Sequence, residues 1–351
     1  MNVGVISERG QFDRRVALTP AVVRRLAGAH HTVWVEKGAG DGAMFRDNDY
    51  IRAGAHIVYS PEEVLQRVEL LVKIGRPTAE ELACCRPAMT LMAFYHMPVA
   101  DRVIPELLAE RCLTAIGCEI IQQDDGRLPV LAAISEVAGQ MTVPIAAHLL
   151  RSSSGGRGIL LGGTPGVPPA RVVVLGAGAV GFAAIRGAAA AGARVTAFDR
   201  DPRKLRHVIE HVPGAETALS DEDSIGEAVA AADVVIGAIL IAGARAQHVV
   251  TCTMVESMKP GSAIIDVSID QGGCIETSRP TTLSDPTFVY KGVTHFCVPN
   301  FTADLGRTSS IVIAQATLPY LLSIARHGVE KAVEICPELA RGVYTLKGQR
   351  P

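Results

Sequence analysis

The segment Val172-Val173-Val174-Leu175 runs without a break into Gly176-Ala177-Gly178-Ala179-Val180-Gly181. An alanine-rich stretch follows, and then Arg194-Val195-Thr196-Ala197-Phe198-Asp199. Few patterns restrict a fold more tightly. The three glycines have separate tasks: a sharp strand-to-helix turn, room for a pyrophosphate, and close packing of helix on sheet. Unpaired N–H groups at the helix start can receive phosphate oxygens. Asp199 lies 18 residues beyond Gly181, at the end of the next strand pattern. A carboxylate placed there accepts hydrogen bonds from a ribose 2′-hydroxyl. The segment therefore reads as a dinucleotide-binding unit that takes NAD. Arg200 directly follows the acid and keeps NADP open as the less favoured choice.

The chain has 351 residues, enough for two domains. Hydrophobic residues make up 48% and charged residues 20%, a globular balance that excludes disordered and low-complexity classes. A net charge of −2 gives no global attraction to nucleic acid or anionic lipid. The longest uninterrupted apolar runs, 172–185 and 234–244, end at Arg186 and Arg245. Both fall short of the ~20 residues that a membrane span needs. The N-terminus turns charged within ten residues, unlike a secretory signal. A soluble, cytoplasmic protein with no membrane or nucleic-acid partner is expected. The eight cysteines (84, 85, 112, 118, 252, 274, 297, 336) form no C-x-x-C and no zinc-like spacing, so reduced thiols and no metal are expected.

Short apolar runs at Val3–Ile6, Thr32–Val35, Leu70–Ile74, Met89–Tyr95 and Thr114–Ile120 predict strands. Helical patterns at Pro20–Leu26, Pro61–Val68, Ala79–Cys84 and Ala100–Arg111 alternate with them, which implies a parallel, doubly wound sheet. A longer helix is predicted over Ser135–Arg151, with Ser135 as its N-cap. On composition alone, the glycine- and proline-rich stretches 152–158 and 162–170 read as a domain linker. A second series of strands follows at Arg171–Leu175, Arg194–Phe198, Val234–Ile236, Ala263–Val267 and Thr294–Val298. The chain closes with a helical pattern over Ser309–Arg326 and no further strand.

Four further segments gain meaning together: Arg15-Val16-Ala17-Leu18-Thr19-Pro20, Tyr95-His96, Gly163-Thr164-Pro165-Gly166-Val167, and the run 266–274, DVSIDQGGC. With the glycine fingerprint, and with Gly237-Ala238-Ile239-Leu240 before a glycine-containing loop, they resemble the alanine dehydrogenase/nicotinamide nucleotide transhydrogenase family. DQGGC followed by Ser278-Arg279-Pro280-Thr281-Thr282 is similar to the alanine dehydrogenase branch in particular. The likeness runs from about residue 3 to 320. It implies two doubly wound, Rossmann-like α/β domains with an interdomain cleft. Residues 1–128 and 307–351 would form the substrate domain and 129–306 the NAD-binding domain, so the Gly/Pro stretch becomes an internal loop. It also implies a homo-oligomer, often a hexamer, acting on an amino acid or 2-oxo acid.

An amino-acid dehydrogenase must hold a carboxylate, polarise C2, move a proton and place C2 against the nicotinamide. Arg15 offers a bidentate fork for the carboxylate. His96, at a strand's end, has the pKa range for proton transfer coupled to hydride movement. Asp270, before Gln271-Gly272-Gly273, can orient the histidine or the reacting nitrogen. From the residues alone, Arg15 fits better as a surface arginine and His96 as a packed histidine, while Asp270 equally fits a turn residue bonding its own backbone. The resemblance selects the functional roles and adds Asn300 beside the nicotinamide. It further implies cofactor contacts from Ser135, Lys204, Ser220, Ile239, Leu240, Ile269, Arg279 and Val298, with Ser135 open to being only a helix cap.

Two departures fall in the substrate region. The dehydrogenase pattern before Pro77 is commonly Lys-Val-Lys-Glu-Pro, whose second lysine binds the substrate oxygen; here it reads Lys73-Ile74-Gly75-Arg76-Pro77. Lys73 lies on the same strand face as Gly75 and is the remaining candidate. After Asn300 the family's proline-rich loop is replaced by Phe301-Thr302-Ala303-Asp304-Leu305-Gly306-Arg307. The reading is an NAD-dependent dehydrogenase interconverting an L-amino acid with its 2-oxo acid and ammonia, with a substrate that need not be alanine. The alternatives are an NAD(P)H-dependent imine reductase or opine-type enzyme, a transhydrogenase-like nucleotide-binding subunit, and a catalytically silent binding protein.

Overall fold

A computed structural model describes residues 1–10, 12–97, 100–240 and 246–349. The glycine-containing loop expected after Leu240 falls at 241–245, outside the described residues. The chain forms two compact units, Met1–Ile134 with Thr302–Pro351, and Ser135–Phe301.

In the first unit six strands pair in parallel: β1 (Asn2–Val5), β2 (Thr32–Glu36), β3 (Ala55–Val58), β4 (Leu70–Val72), β5 (Thr90–Ala93) and β6 (Thr114–Gly117). A seventh, β14 (Val343–Thr345), runs antiparallel beside β6. The order is β14-β6-β5-β4-β1-β2-β3. The second unit repeats the plan with β7 (Arg171–Leu175), β8 (Arg194–Asp199), β9 (Glu216–Leu219), β10 (Val234–Gly237), β11 (Ala263–Asp266), β12 (Thr287–Tyr290) and β13 (Val293–Phe296). Its order is β12-β13-β11-β10-β7-β8-β9, with only β12 antiparallel. In both sheets the strand order reverses beside the first strand, between β1 and β4 and between β7 and β10. Doubly wound sheets bind ligands at such switch points.

The central strands are buried on both faces, which is why they read as continuous apolar runs. In the second sheet Val172, Val174, Val195, Ile236 and Ile265 pack to one side. Val173, Leu175, Phe198, Val235 and Ile264 pack to the other. Helix starts follow local chemistry. Ser60 accepts from the Glu63 N–H at 3.2 Å ahead of Pro61, and Thr78 and Glu81 form a reciprocal capping box.

Several expectations are corrected. The helix placed at Ser135–Arg151 spans Pro129–Leu149, with a proline at its first turn, so Ser135 is an interior residue and not the N-cap. The composition-based linker at 152–170 lies inside the second unit and is packed: a Cβ at Gly162 would overlap the Ala191 carbonyl oxygen. A strand, β14, follows the C-terminal helix where none is expected. Two helices, Pro129–Leu149 and the stretch Phe301–His327, are long and apolar enough to cross a membrane by length and composition. Neither is an uninterrupted apolar run, because Ser, Thr, Gln and Gly dilute each one. They are 39% and 50% buried within the fold.

The fingerprint turn is closed by steric need. Gly176 has φ 97°, and a Cβ there would sit 2.6 Å from the Ala238 carbonyl oxygen. At Gly181 a Cβ would overlap the Gly176 carbonyl oxygen, whereas at Gly178 it meets nothing within 4 Å. Gly181→Ala is expected to lower stability by about 1–3 kcal/mol in urea denaturation, through backbone displacement. Gly178→Ala should stay within about 0.5 kcal/mol of wild type. Equal effects would refute this division of labour.

Candidate active site

The strand–turn–helix of β7 and the helix Ala179–Ala190 opens onto a cavity of about 890 Å³ within the second unit. Of the expected cofactor contacts, Ser135, Gly176, Gly178, Ala179, Val180, Asp199, Arg200, Lys204, Ser220, Ile239 and Leu240 line it. Gly181 does not, since its place is beneath the turn. Ile269, Arg279 and Val298 also stand apart from the lining. Ile269 and Val298 are buried, and the Arg279 guanidinium lies 4.4 Å over the Phe288 ring. The lining also includes Asp201, Arg203, Asp221, Gln247, His248 and Thr251. Arg203 lies in the first turn of the helix Pro202–His211 and the others in loops or at helix starts, and no cofactor motif marks any of them.

The residues fit a dinucleotide. Open space faces Gly178 at the start of a 12-residue helix, where backbone dipoles favour an anion. Asp199 is only 8% exposed and is held in place. Its Oδ2 accepts from the Ala177 N–H at 2.8 Å and lies 3.5 Å from Lys204 Nζ, while Oδ1 accepts from the Asp201 N–H at 2.8 Å. The acid thus braces the glycine turn as well as facing the cavity. The neighbouring cations are already engaged. Arg200 donates to Gln247 Oε1 at 3.2 Å, and Arg203 donates to both Asp201 oxygens at 3.0 and 2.9 Å.

Asp270 and Asn300 come together in the same unit. Asp270 sits in the turn after β11, and its Oδ1 accepts from the Asn300 N–H at 2.9 Å. Asn300, beyond β13, has φ 53°. That turn is organised by the buried Asp266, which accepts from the N–H groups of Ser268 (3.1 Å) and Cys274 (3.1 Å). Burial raises the Asp266 pKa. His295, given no role from sequence, is buried with Nε2 2.8 Å from Thr277 Oγ1, and burial lowers its pKa.

In the first unit Arg15 is 4% exposed and forms a two-point pair with Asp13, at 2.8 and 2.6 Å, with Thr302 Oγ1 at 3.5 Å. Lys73 is also buried. Its Nζ lies 2.9 Å from Glu81 Oε1 and 3.7 Å from Glu8 Oε2. It therefore neutralises carboxylates that burial would otherwise penalise. Glu8 in turn accepts from the N–H groups of Ile74 (2.7 Å) and Gly75 (3.0 Å), across the β1/β4 switch point. Burial outweighs the opposing Lys73 charge and raises the Glu8 pKa. His96 follows β5 with φ 47°, its ring stacked 6.1 Å from Phe94.

For metals, the described residues include one ligand-like cluster, His207, Glu210 and His211, on the exposed face of the helix Pro202–His211. It is not part of the cavity lining, and the spacing H-x-x-E-H is its sequence signal.

Comparison with known proteins covers the whole chain. The model of the alanine dehydrogenase/PNT N-terminal domain matches residues 4–138, and that of the C-terminal domain matches residues 142–350. The alanine dehydrogenase of Mycolicibacterium smegmatis is 42% identical over 350 residues, covering 99% of this chain and 94% of that protein. The one from Halomonas elongata is 41% identical with the same coverage. A solved L-alanine dehydrogenase superposes with a TM-score of 0.94 at 39% identity, covering 100% of this chain and 96% of the other. A transhydrogenase from Sinorhizobium meliloti superposes at 0.84 with 26% identity, covering 100% and 98%. The chain belongs to the alanine dehydrogenase/PNT family.

Proposed function

We propose that this chain is an NAD-dependent amino-acid dehydrogenase that interconverts an L-amino acid with its 2-oxo acid and ammonia. The observation that carries the reading is full-length identity of about 40% to alanine dehydrogenases, joined to an open cavity at a glycine turn braced by Asp199. The nicotinamide supplies or accepts the hydride. The backbone around Gly178 and the start of the helix Ala179–Ala190 would hold its pyrophosphate, and Asp199 its adenosine ribose.

The chain's own residues supply the rest. Arg15, kept rigid by Asp13, would present its guanidinium to the substrate carboxylate. His96 would donate a proton to the C2 oxygen or nitrogen in the reductive direction and recover it in the oxidative one. Asp270, held by the Asn300 N–H, would orient the reacting nitrogen. Closed homo-oligomers and a cytoplasmic setting accompany the reading.

Asp199 supports NAD over NADP. A 2′-phosphate would meet a carboxylate, and Arg200, Arg203 and Lys204 are committed to Gln247, Asp201 and Asp199. kcat/KM for NADH is expected to exceed that for NADPH by at least about 10-fold at fixed ionic strength, about 1.4 kcal/mol. Equal values would overturn the preference.

Ammonium-dependent NADH oxidation, run across a panel of 2-oxo acids, tests the reaction itself. His96→Ala and Asp270→Asn should each lower kcat at least ~100-fold, with the NADH Kd unchanged. Wild-type turnover in either variant removes that residue from the mechanism. Turnover that needs an added amine or a cyclic imine, and not ammonium, would move the assignment to an imine reductase.

Gly75 stands where the family lysine meets the substrate oxygen. Gly75→Lys is expected to raise kcat/KM for pyruvate by about 10-fold, the scale of a restored charged hydrogen bond. No gain would show that another group already makes that contact.

A further inference from the structure

His96 is a non-glycine residue in the left-handed region, and side chains from three other segments hold it there. Its N–H donates to Glu119 Oε1 at 2.6 Å, and the preceding Tyr95 N–H donates to the same carboxylate at 3.0 Å. Arg76 grips the carbonyl side of the same two residues. Its Nη2 donates to the His96 carbonyl at 3.1 Å and its Nε to the Tyr95 carbonyl. Glu119 is 6% exposed and also accepts from the Tyr344 hydroxyl at 3.1 Å. Tyr344 comes from β14, which pairs with β6, and its ring lies 5.9 Å from that of Tyr95. Only a glycine at 117 leaves room for it. Three segments following β4, β5 and β6, plus the edge strand β14, therefore converge on one strained peptide. A buried carboxylate is costly without partners, and this one places its acceptors on the backbone of the proposed proton carrier.

We propose that Arg76, Glu119 and Tyr344 are positioning residues that set the orientation of His96. This rests on the proposed role of His96 in the dehydrogenase reaction. They act on the imidazole through its backbone and touch no substrate, so their loss should appear in kcat. NADH binding, which belongs to the other unit, should not change.

Crystal structures of full-length Glu119→Ala and Arg76→Gln should show His96 outside the left-handed region. A retained φ near 47° in both overturns the clamp, whatever His96 does chemically. Kinetically, each variant should lose at least about 10-fold in kcat, with the NADH Kd within about 2-fold of wild type. Glu119→Gln, whose amide oxygen can accept the same N–H bonds, should recover most of that loss. In a His96→Ala background, Glu119→Ala and Arg76→Gln should cost less than about 2-fold more, because residues acting as a unit are not additive. Full multiplicative losses there would assign these residues a general structural role and refute the proposal. Wild-type kcat in His96→Ala alone would instead overturn the reading of His96, and the backbone test would still judge the clamp. Arg76→Gln is part-exposed and keeps the test available if Glu119→Ala does not fold.

Discussion

Parallel strand pairing is the constraint on which the rest of this molecule depends. A parallel strand buried on both faces has no place for a charge along its length, so polar chemistry collects where strands end. The first sheet shows this with Glu8 beyond β1, Lys73 and Gly75 beyond β4, His96 beyond β5 and Glu119 beyond β6. The second repeats it with Gly176 beyond β7, Asp199 closing β8, Ile239 beyond β10, Asp270 beyond β11 and Asn300 beyond β13. Two of the carboxylates take backbone N–H groups from the loop beyond the neighbouring strand. Glu8 takes the N–H groups of Ile74 and Gly75, and Asp199 takes that of Ala177. These bonds tie adjacent strand ends together, so the carboxylates act as fold elements as well as candidates for chemistry.

The same device recurs at two residues that carry strain. His96 and Asn300 both have left-handed backbones, and in each the N–H donates to an acidic side chain, Glu119 and Asp270 respectively. For His96 that region costs about 1–2 kcal/mol, whereas asparagine enters it more readily. A charge-assisted hydrogen bond is worth about 1.5–3 kcal/mol, enough to offset the strain. The pairing gives each residue one backbone conformation, which suits the role proposed for His96.

Much of this was legible in the sequence, and the gaps have a shared physical cause. All ten interior parallel strands appear as apolar runs, from Val3–Ile6 through Thr294–Val298. The four strands without such a signal, β3, β9, β12 and β14, are the edges of the two sheets. Edge strands face solvent on one side, and Glu216-Thr217-Ala218-Leu219 shows no apolar run for that reason. At the site, the glycine fingerprint and its acid could be read directly because their spacing is a steric demand. Gln247, His248 and Thr251 could not be read, because a loop that reaches a cavity from afar has no required pattern. Arg76 and Glu119 escaped notice for a different reason: their work is done on backbone atoms of other segments, and only the folded chain shows it.

The substitution at Gly75 is best understood through the charges around it. Glu8 and Glu81 share Lys73, and Arg9 reaches Glu81 from the surface at 3.2 Å. Glu8 also takes two backbone N–H groups, one of them from Gly75 itself. A Cβ at 75 would lie 3.1 Å from Glu8 Oε2, so a side chain could be accommodated only by a small movement of that flexible acid. The buried acids thus have partners without a lysine at 75, and the fold does not register its absence. What loses a partner, in the proposed reaction, is the substrate oxygen. Lys73 is already engaged with both Glu8 and Glu81, and turning it to the substrate would weaken that buried pairing, with Arg9 left facing Glu81. The pressure of the substitution therefore falls on substrate choice, and the scaffold is spared.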